Sequence, residues 1–223
     1  MKQAFVKSVP VLAGYLVLGA GFGILMRNAG YGVLWTAAMS VFIYAGSMQF
    51  VGVGLLAGGA NVLTAVFTTV MVNARHLFYS ISMIDVYKNA GKYRPYSIFA
   101  LTDETYSLLC DGAAPEGTDP DAYRFLVSLF NHSYWIAGSV LGSLLGAVLP
   151  FPTTGIEFSM TALFIASLTE QWLTAKDHLP ALTGLGCTLL SLVLFGRDRF
   201  LIPAMLLITL ALTLLRRRKG GAA

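Results

Sequence analysis

The chain has 223 residues, 56% hydrophobic and only 12% charged, where an ordinary soluble domain carries roughly 25% charged residues. With a mean hydropathy of +0.70, this excludes a water-soluble globular domain and predicts an all-α polytopic membrane protein, expected as a single transmembrane domain over residues 1–223. At about 20 residues per crossing, the length allows six to eight hydrophobic helical segments and no separate soluble domain. The net charge of +4 does not point to nucleic acid. The basic residues sit just outside apolar runs, Lys2 and Lys7, then Lys88, Lys92 and Arg94, then Arg216, Arg217, Arg218 and Lys219, where they act as topology anchors.

Eight apolar stretches follow one another, at 9–26, 33–57, 62–84, 96–110, 125–149, 157–173, 179–195 and 200–215. The first is longer than a signal-peptide core and has no small-residue cleavage site after it, so it is expected to stay as a span. The second carries Gly46, Gly52, Gly54, Gly58 and Gly59, which weaken a continuous helix; broken backbone at membrane depth is tolerated where it lines a cavity. Letting 33–57 and 157–173 leave on the side they came from, or fail to cross, puts both termini and the 88–94 loop in the cytoplasm. The acidic loop with Asp111, Glu116, Asp119 and Asp121 is then external, and the basic residues fall mostly inside.

The third stretch is the unusual one, because Asn73, Arg75 and His76 stand at its middle. An arginine there costs at least a few kcal/mol unless it meets a partner or a wet cavity, so it is expected to mark a functional site, the alternative being a purely structural buried ion pair. Thr69, Asn73, His76 and Ser80 fall on one stripe of a continuous helix. Thr69 and Ser80 are expected to glue helices together. A partner for Arg75 is available in the fourth stretch, where Thr102-Asp103-Glu104-Thr105 interrupts the apolar run. One carboxylate can pair with Arg75 while the other handles a proton or an ammonium group.

Gly46-Ser47-Met48-Gln49-Phe50 offers broken backbone, a hydroxyl and an amide with apolar neighbours, suited to lining a pocket for a zwitterion. Close packing through Gly and Ser is the equal alternative. Gly138, Gly142 and Gly146 form a ridge of small residues, expected as a packing face. His132 and His178 lie near segment ends and are expected to be interfacial. Cys110 and Cys187 are packing residues, and no metal-ligand, nucleotide or nucleophile-elbow pattern occurs, so neither metal nor cofactor is expected.

Sliding the chain against itself by 122 residues pairs Gln49-Phe50 with Gln171-Trp172 and Arg75 with Arg197. This suggests two copies, about 5–110 and 124–215, each with one interrupted segment and inverted relative to the other, a recurring plan of secondary transporters.

The runs Ala45-Gly46-Ser47-Met48-Gln49-Phe50, Asn73-Ala74-Arg75-His76-Leu77-Phe78-Tyr79 and Leu101-Thr102-Asp103-Glu104-Thr105 closely resemble, in order and spacing, the successive signatures of the AzlC family. The resemblance is strong over 5–110. It implies the large subunit of a two-component exporter of branched-chain amino acids (Leu, Ile and Val, in some members also Met), driven by protons across a bacterial inner membrane and assembled with a small AzlD-type membrane subunit. Gln49, Asn73, Arg75, His76, Asp103 and Glu104 are then the substrate-binding or coupling residues, and Gly46, Ser47, Met48 and Phe50 line the pocket. The rival readings are a membrane scaffold, or an intramembrane enzyme using His76 with Asp103 or Glu104 as an acid–base pair.

Overall fold

A computed structural model describes residues 1–110, 114–148, 177–196 and 200–220, with isolated positions between 155 and 175. All its regular elements among the described residues are helical. The chain divides into two compact units, residues 1–163 and 164–223.

In the first unit the long helices α1 (Lys2–Asn28) and α8 (Pro120–Val148) pack side by side. Their contact is a ridge of glycines: Gly138 lies against the backbone of Leu16, Gly142 against Ala20 and Gly146 against Ile24. On the other side of the seam Gly19 faces Gly138 and Ser139, and Gly23 faces Gly142 and Ser143, where a methyl group would strike backbone. Small residues permit such close approach, as expected for this ridge. Both sequences advance together along the seam, so the helices are parallel. Their N-terminal ends define the lower end of the unit and their C-terminal ends the upper.

Three of the apolar stretches are each split into two helices. The second is α2 (Val33–Phe42) and α3 (Gly46–Ala57), joined through Tyr44 at φ 43°. Descending antiparallel to α8, α2 places Thr36 on Ser143 and then Ser40 on His132. Then α3 turns back upward, with Gly46 against the Trp135 indole and Phe50 6.1 Å from Phe22. Gln49 of α3 bonds Ser40 of α2, and Gly52 faces Met39. The stretch is thus a helical hairpin that comes down from the upper end, tips at mid-height and returns, as its glycines led us to expect.

The third stretch runs downward as α4 (Val62–Asn73) and α5 (Arg75–Tyr87), divided at Ala74. There the usual four-residue ladder gives way to three-residue bonds, Ala74 N to Met71 O and Leu77 N to Ala74 O. Lower on α5, Tyr79 stacks on Tyr106 at 5.0 Å, and Met83 and Tyr87 join Ala4, Leu109, Tyr123 and Val127 in a lower apolar core. The single polar stripe from Thr69 to Ser80 is therefore interrupted. Thr69 donates its hydroxyl to the Ala65 carbonyl of its own helix.

The fourth stretch departs further from expectation. After a short 3-10 turn, α6 (Arg94–Phe99) climbs from Phe125 to His132 on α8. Beyond a tip at residues 100–102, α7 (Asp103–Leu109) descends again, with Thr105 on Asn131 and Leu109 in the lower core. This is a second hairpin, from the lower end, whose tip meets the first: Phe99 lies 6.4 Å from Tyr44. Two short helices of six and seven residues cover only half the length of α1 between them. As a result the connection carrying Glu116 and Asp119 feeds α8 at the lower end, beside the start of α1. The described part of the acidic loop, with Glu116, Asp119 and Asp121, lies at the same end as the N-terminus and the 88–94 turn, correcting the arrangement that set it opposite.

The second unit contains α9 (Leu179–Phe195) and α10 (Leu201–Gly220), which pack on each other. Gln171, Arg197 and most of 157–173 lie outside the described residues. The offset of 122 does recur as the register of α1 on α8, yet parallel counterparts do not fit inverted copies. Opposed orientation appears instead inside the first unit, between its two hairpins. Among the described residues α1 alone is long and apolar enough to cross a membrane by itself.

Candidate functional site

The three signature runs occupy the three helix breaks at mid-height. At the upper hairpin's tip α3 begins without a side-chain cap. Its first helical backbone bond is Gln49 N to Ala45 O at 2.8 Å, so the N–H groups of Gly46, Ser47 and Met48 precede the ladder. Arg75 is the first residue of α5. Asp103 and Glu104 form the first turn of α7, where Thr102 caps the helix by accepting from Thr105 N. Carboxylates are favoured there by the helix dipole.

Arg75 joins the breaks. One guanidinium nitrogen is 2.5 Å from Asp103 Oδ2 and the other donates to Ser47 Oγ at 2.5 Å. Both charged side chains are about one-fifth exposed, at 23% and 22%, so the pair stands at the edge of the packed interior. His76 turns back, its Nδ1 donating to the Asn73 carbonyl at 3.2 Å while its ring meets Tyr79 edge-on.

The two neighbouring carboxylates have different surroundings. Asp103 is held by arginine, whereas Glu104 accepts from the Tyr15 hydroxyl at 2.7 Å. Tyr15 is 4% exposed and sits 2.8 Å from Thr102 Oγ1. Thr102 bonds Thr105, which accepts from Asn131 of α8. This chain of hydroxyls ties the lower hairpin's tip to both long helices.

Gln49 is fully buried, and its amide is occupied at both ends: Oε1 accepts from Trp135 Nε1 at 2.9 Å and Nε2 donates to Ser40 Oγ at 3.4 Å. Met48 is buried beside it, and Phe50 packs on the upper core with Phe22. His132 is not interfacial. It is 6% exposed in the middle of α8, where Nε2 donates to the Ser40 carbonyl at 3.0 Å and Nδ1 accepts from Tyr96 at 2.8 Å. The break after α2 releases that carbonyl from the helix ladder, and His132 satisfies it. Tyr44 stacks on His132 at 4.1 Å, fixing a backbone conformation that costs a non-glycine residue about 1–3 kcal/mol.

The structure thus brings Ser47, Arg75 and Asp103 into contact, sets Asn73, His76 and Glu104 beside them, and places Gln49 behind the upper tip. Sequence reasoning missed Tyr15, Tyr44, Asn131 and Trp135, and took His132 for an interfacial residue. A signal for three of them was present: buried Ser128, Asn131, His132, Trp135, Ser139 and Ser143 repeat at helical spacing through the fifth stretch.

The AzlC family model, described as "AzlC protein", matches residues 10–149, which hold most of α1, all of α2 to α8 and all three breaks. "Branched-chain amino acid transport protein AzlC" of Bacillus subtilis is 46% identical over 216 residues, covering 97% of this chain and 85% of that protein. An "uncharacterized membrane protein" of Haemophilus influenzae is 43% identical over 214 residues, covering 96% and 88%. "Inner membrane protein YgaZ" of Escherichia coli is 25% identical over 172 residues, covering 74% and 70%. No solved structure matches the chain. These relatives agree with the hydropathy in placing the chain in a membrane. The signature runs that resembled one family lie within the span its model matches, and the chain belongs to the AzlC family.

Proposed function

We propose that the chain is the large subunit of a secondary exporter that moves branched-chain amino acids out across a bacterial inner membrane. The name of the Bacillus subtilis relative supports the substrate class. The observation that carries the site is the Arg75 bridge, one guanidinium spanning Ser47 of the upper hairpin and Asp103 of the lower. A ligand carboxylate exchanges with Asp103 on Arg75, beside the uncapped start of α3, where backbone N–H groups and the helix dipole favour an anion. Asp103, released, faces the ligand's ammonium. Met48 and Phe50 border the apolar side, and Gln49 holds α3 in place rather than touching the ligand. One methylene is worth only about 1–3 kcal/mol in such a pocket, so Leu, Ile, Val and Met are all expected as cargo.

Glu104, whose partner is a phenol rather than a cation, is the carboxyl we assign to proton coupling. An acid–base enzyme is less well supported, since the described bond of His76 is to a main-chain carbonyl and not to a carboxylate. As for partners and orientation, family resemblance supports a small AzlD-type subunit. In the first unit Lys2, Lys7, Lys88, Lys92, Arg94 and Arg124 lie toward the lower end and Arg27 toward the upper, which supports a cytoplasmic lower end and N-terminus.

The test is efflux of preloaded leucine, valine and methionine from vesicles holding this chain with and without the small subunit, with and without a proton gradient. Gradient-dependent efflux is expected with both chains. No efflux of any of the three from an intact complex would overturn the substrate assignment.

A further inference from the structure

We propose that the two hairpins are re-entrant from opposite faces of the membrane, and that each is the barrier between the Arg75 site and its own face. The placement of the hairpins follows from packing alone; their role as barriers rests on the transport reading.

Both long helices begin at the lower end, so whichever way the chain is inserted, residues 2 and 120 share a face. Between them the chain must make a crossing back, and α4–α5 supplies it, starting where the ascending α3 ends and placing Met83 and Tyr87 in the lower core. The α2–α3 hairpin leaves and returns at the upper end, and α6–α7 does the same at the lower. Neither reaches beyond mid-height: the upper tip stops at Tyr44, stacked on His132, and the lower at Thr102, bonded to Tyr15. Non-helical backbone at that depth survives only where protein or a wet cavity satisfies it. His132 on the Ser40 carbonyl and the Thr102 cap on α7 meet that need.

A solute coming from either face therefore has one hairpin tip between it and Arg75, and half the membrane to traverse. Arg75 itself fastens the barrier, because it holds Ser47 of one tip and Asp103 of the other at once. A carboxylate that takes Arg75 competes with both bonds, so binding loosens the tips that enclose it. The lower hairpin's arms are the shorter, and its tip is tied by hydroxyls, whereas the upper tip is tied by stacked rings.

Side-selective cysteine labelling tests this in the full chain with Cys110 and Cys187 replaced by Ser. Single cysteines at Gln3, Asn89 and Glu116 are expected to react with a membrane-impermeant maleimide from one face, and those at Asn28 and Ala60 from the other. Glu116→Cys reacting with the Asn28 face would overturn the lower hairpin, since a crossing α6–α7 requires it. The barrier role is read separately, at the tips. In protein with an unaltered loop pattern, Arg75→Gln is expected to speed labelling of Ala45→Cys from the upper face and of Ala100→Cys from the lower several-fold. Unchanged rates at both would overturn the barrier while leaving the topology in place. Absence of amino-acid efflux with both labelling patterns as expected would instead remove the transport reading.

Discussion

At the scale of single residues, the Arg75–Asp103–Ser47 contact makes the sharpest demands. Charge-assisted hydrogen bonds are worth about 1.5–3 kcal/mol each. Arg75→Gln should therefore weaken leucine binding by roughly ten- to a hundredfold, read by calorimetry or ligand-dependent thermal shift on the assembled complex. Asp103→Asn should lower the melting temperature by leaving Arg75 without its carboxylate, and adding Arg75→Gln to it should recover part of the loss. A coupling of about 1–3 kcal/mol is expected from that cycle, and strict additivity would mean that the pair contributes nothing to folding. Trp135→Phe leaves the Gln49 carbonyl buried without its donor, at a cost of about 1–3 kcal/mol; a denaturation midpoint equal to the parent's would contradict the bond. Arg75 and its acidic partner could be read from the sequence because ionisable groups stand out against an apolar background. The Gln49–Trp135 bond could not, since its two halves lie in helices far apart in the chain and the amide of Gln49 reads there as a pocket group.

Among the elements, the α1–α8 seam and the hairpins behave differently under substitution. Replacing Gly142 with Ala puts a methyl group into the Ala20 backbone, and overpacking of this kind costs about 1–3 kcal/mol. A lower melting temperature, with Gly184→Ala of α9 as a control where a methyl meets nothing, is the expected outcome. The glycine ridge was legible because its spacing repeats within one segment. The upper hairpin was legible for a similar reason, as its glycines are concentrated in 33–57. The lower hairpin has no such signature: Ala100 and Leu101 at its tip are ordinary apolar residues, and a stretch of 15 residues looks like a short span. What sets its direction is the ring-to-ring contact of Tyr96 and Phe99 with His132 and Phe125, which pattern alone does not show. The break at Ala74 was equally hidden, for alanine is the best helix former and only the groups around it separate α4 from α5.

For the whole molecule, the split of charge between the two ends of the first unit predicts how insertion can be disturbed. Basic residues added to the upper connections, as in Tyr31→Lys with Ala60→Lys, should weaken the orientation bias and yield a mixed population by reporter fusions at the N-terminus. A single orientation with both lysines present would argue that packing and not charge fixes it. Composition was enough to identify a membrane protein and three short runs to identify its family, but the count of crossings was not legible, because hydropathy cannot distinguish a hairpin that turns back from a helix that goes through. The parallel seam also has a consequence for synthesis. The surface that receives α1 is on α8, and the glycines of one helix are useless without those of the other. During translation α1 must wait for the next hundred or so residues, about 5–20 s at ordinary elongation rates, with its small-residue face turned to lipid or to the insertion machinery. The helix made first is thus locked in last, and the first unit closes only after Gly138 and Gly142 have left the ribosome.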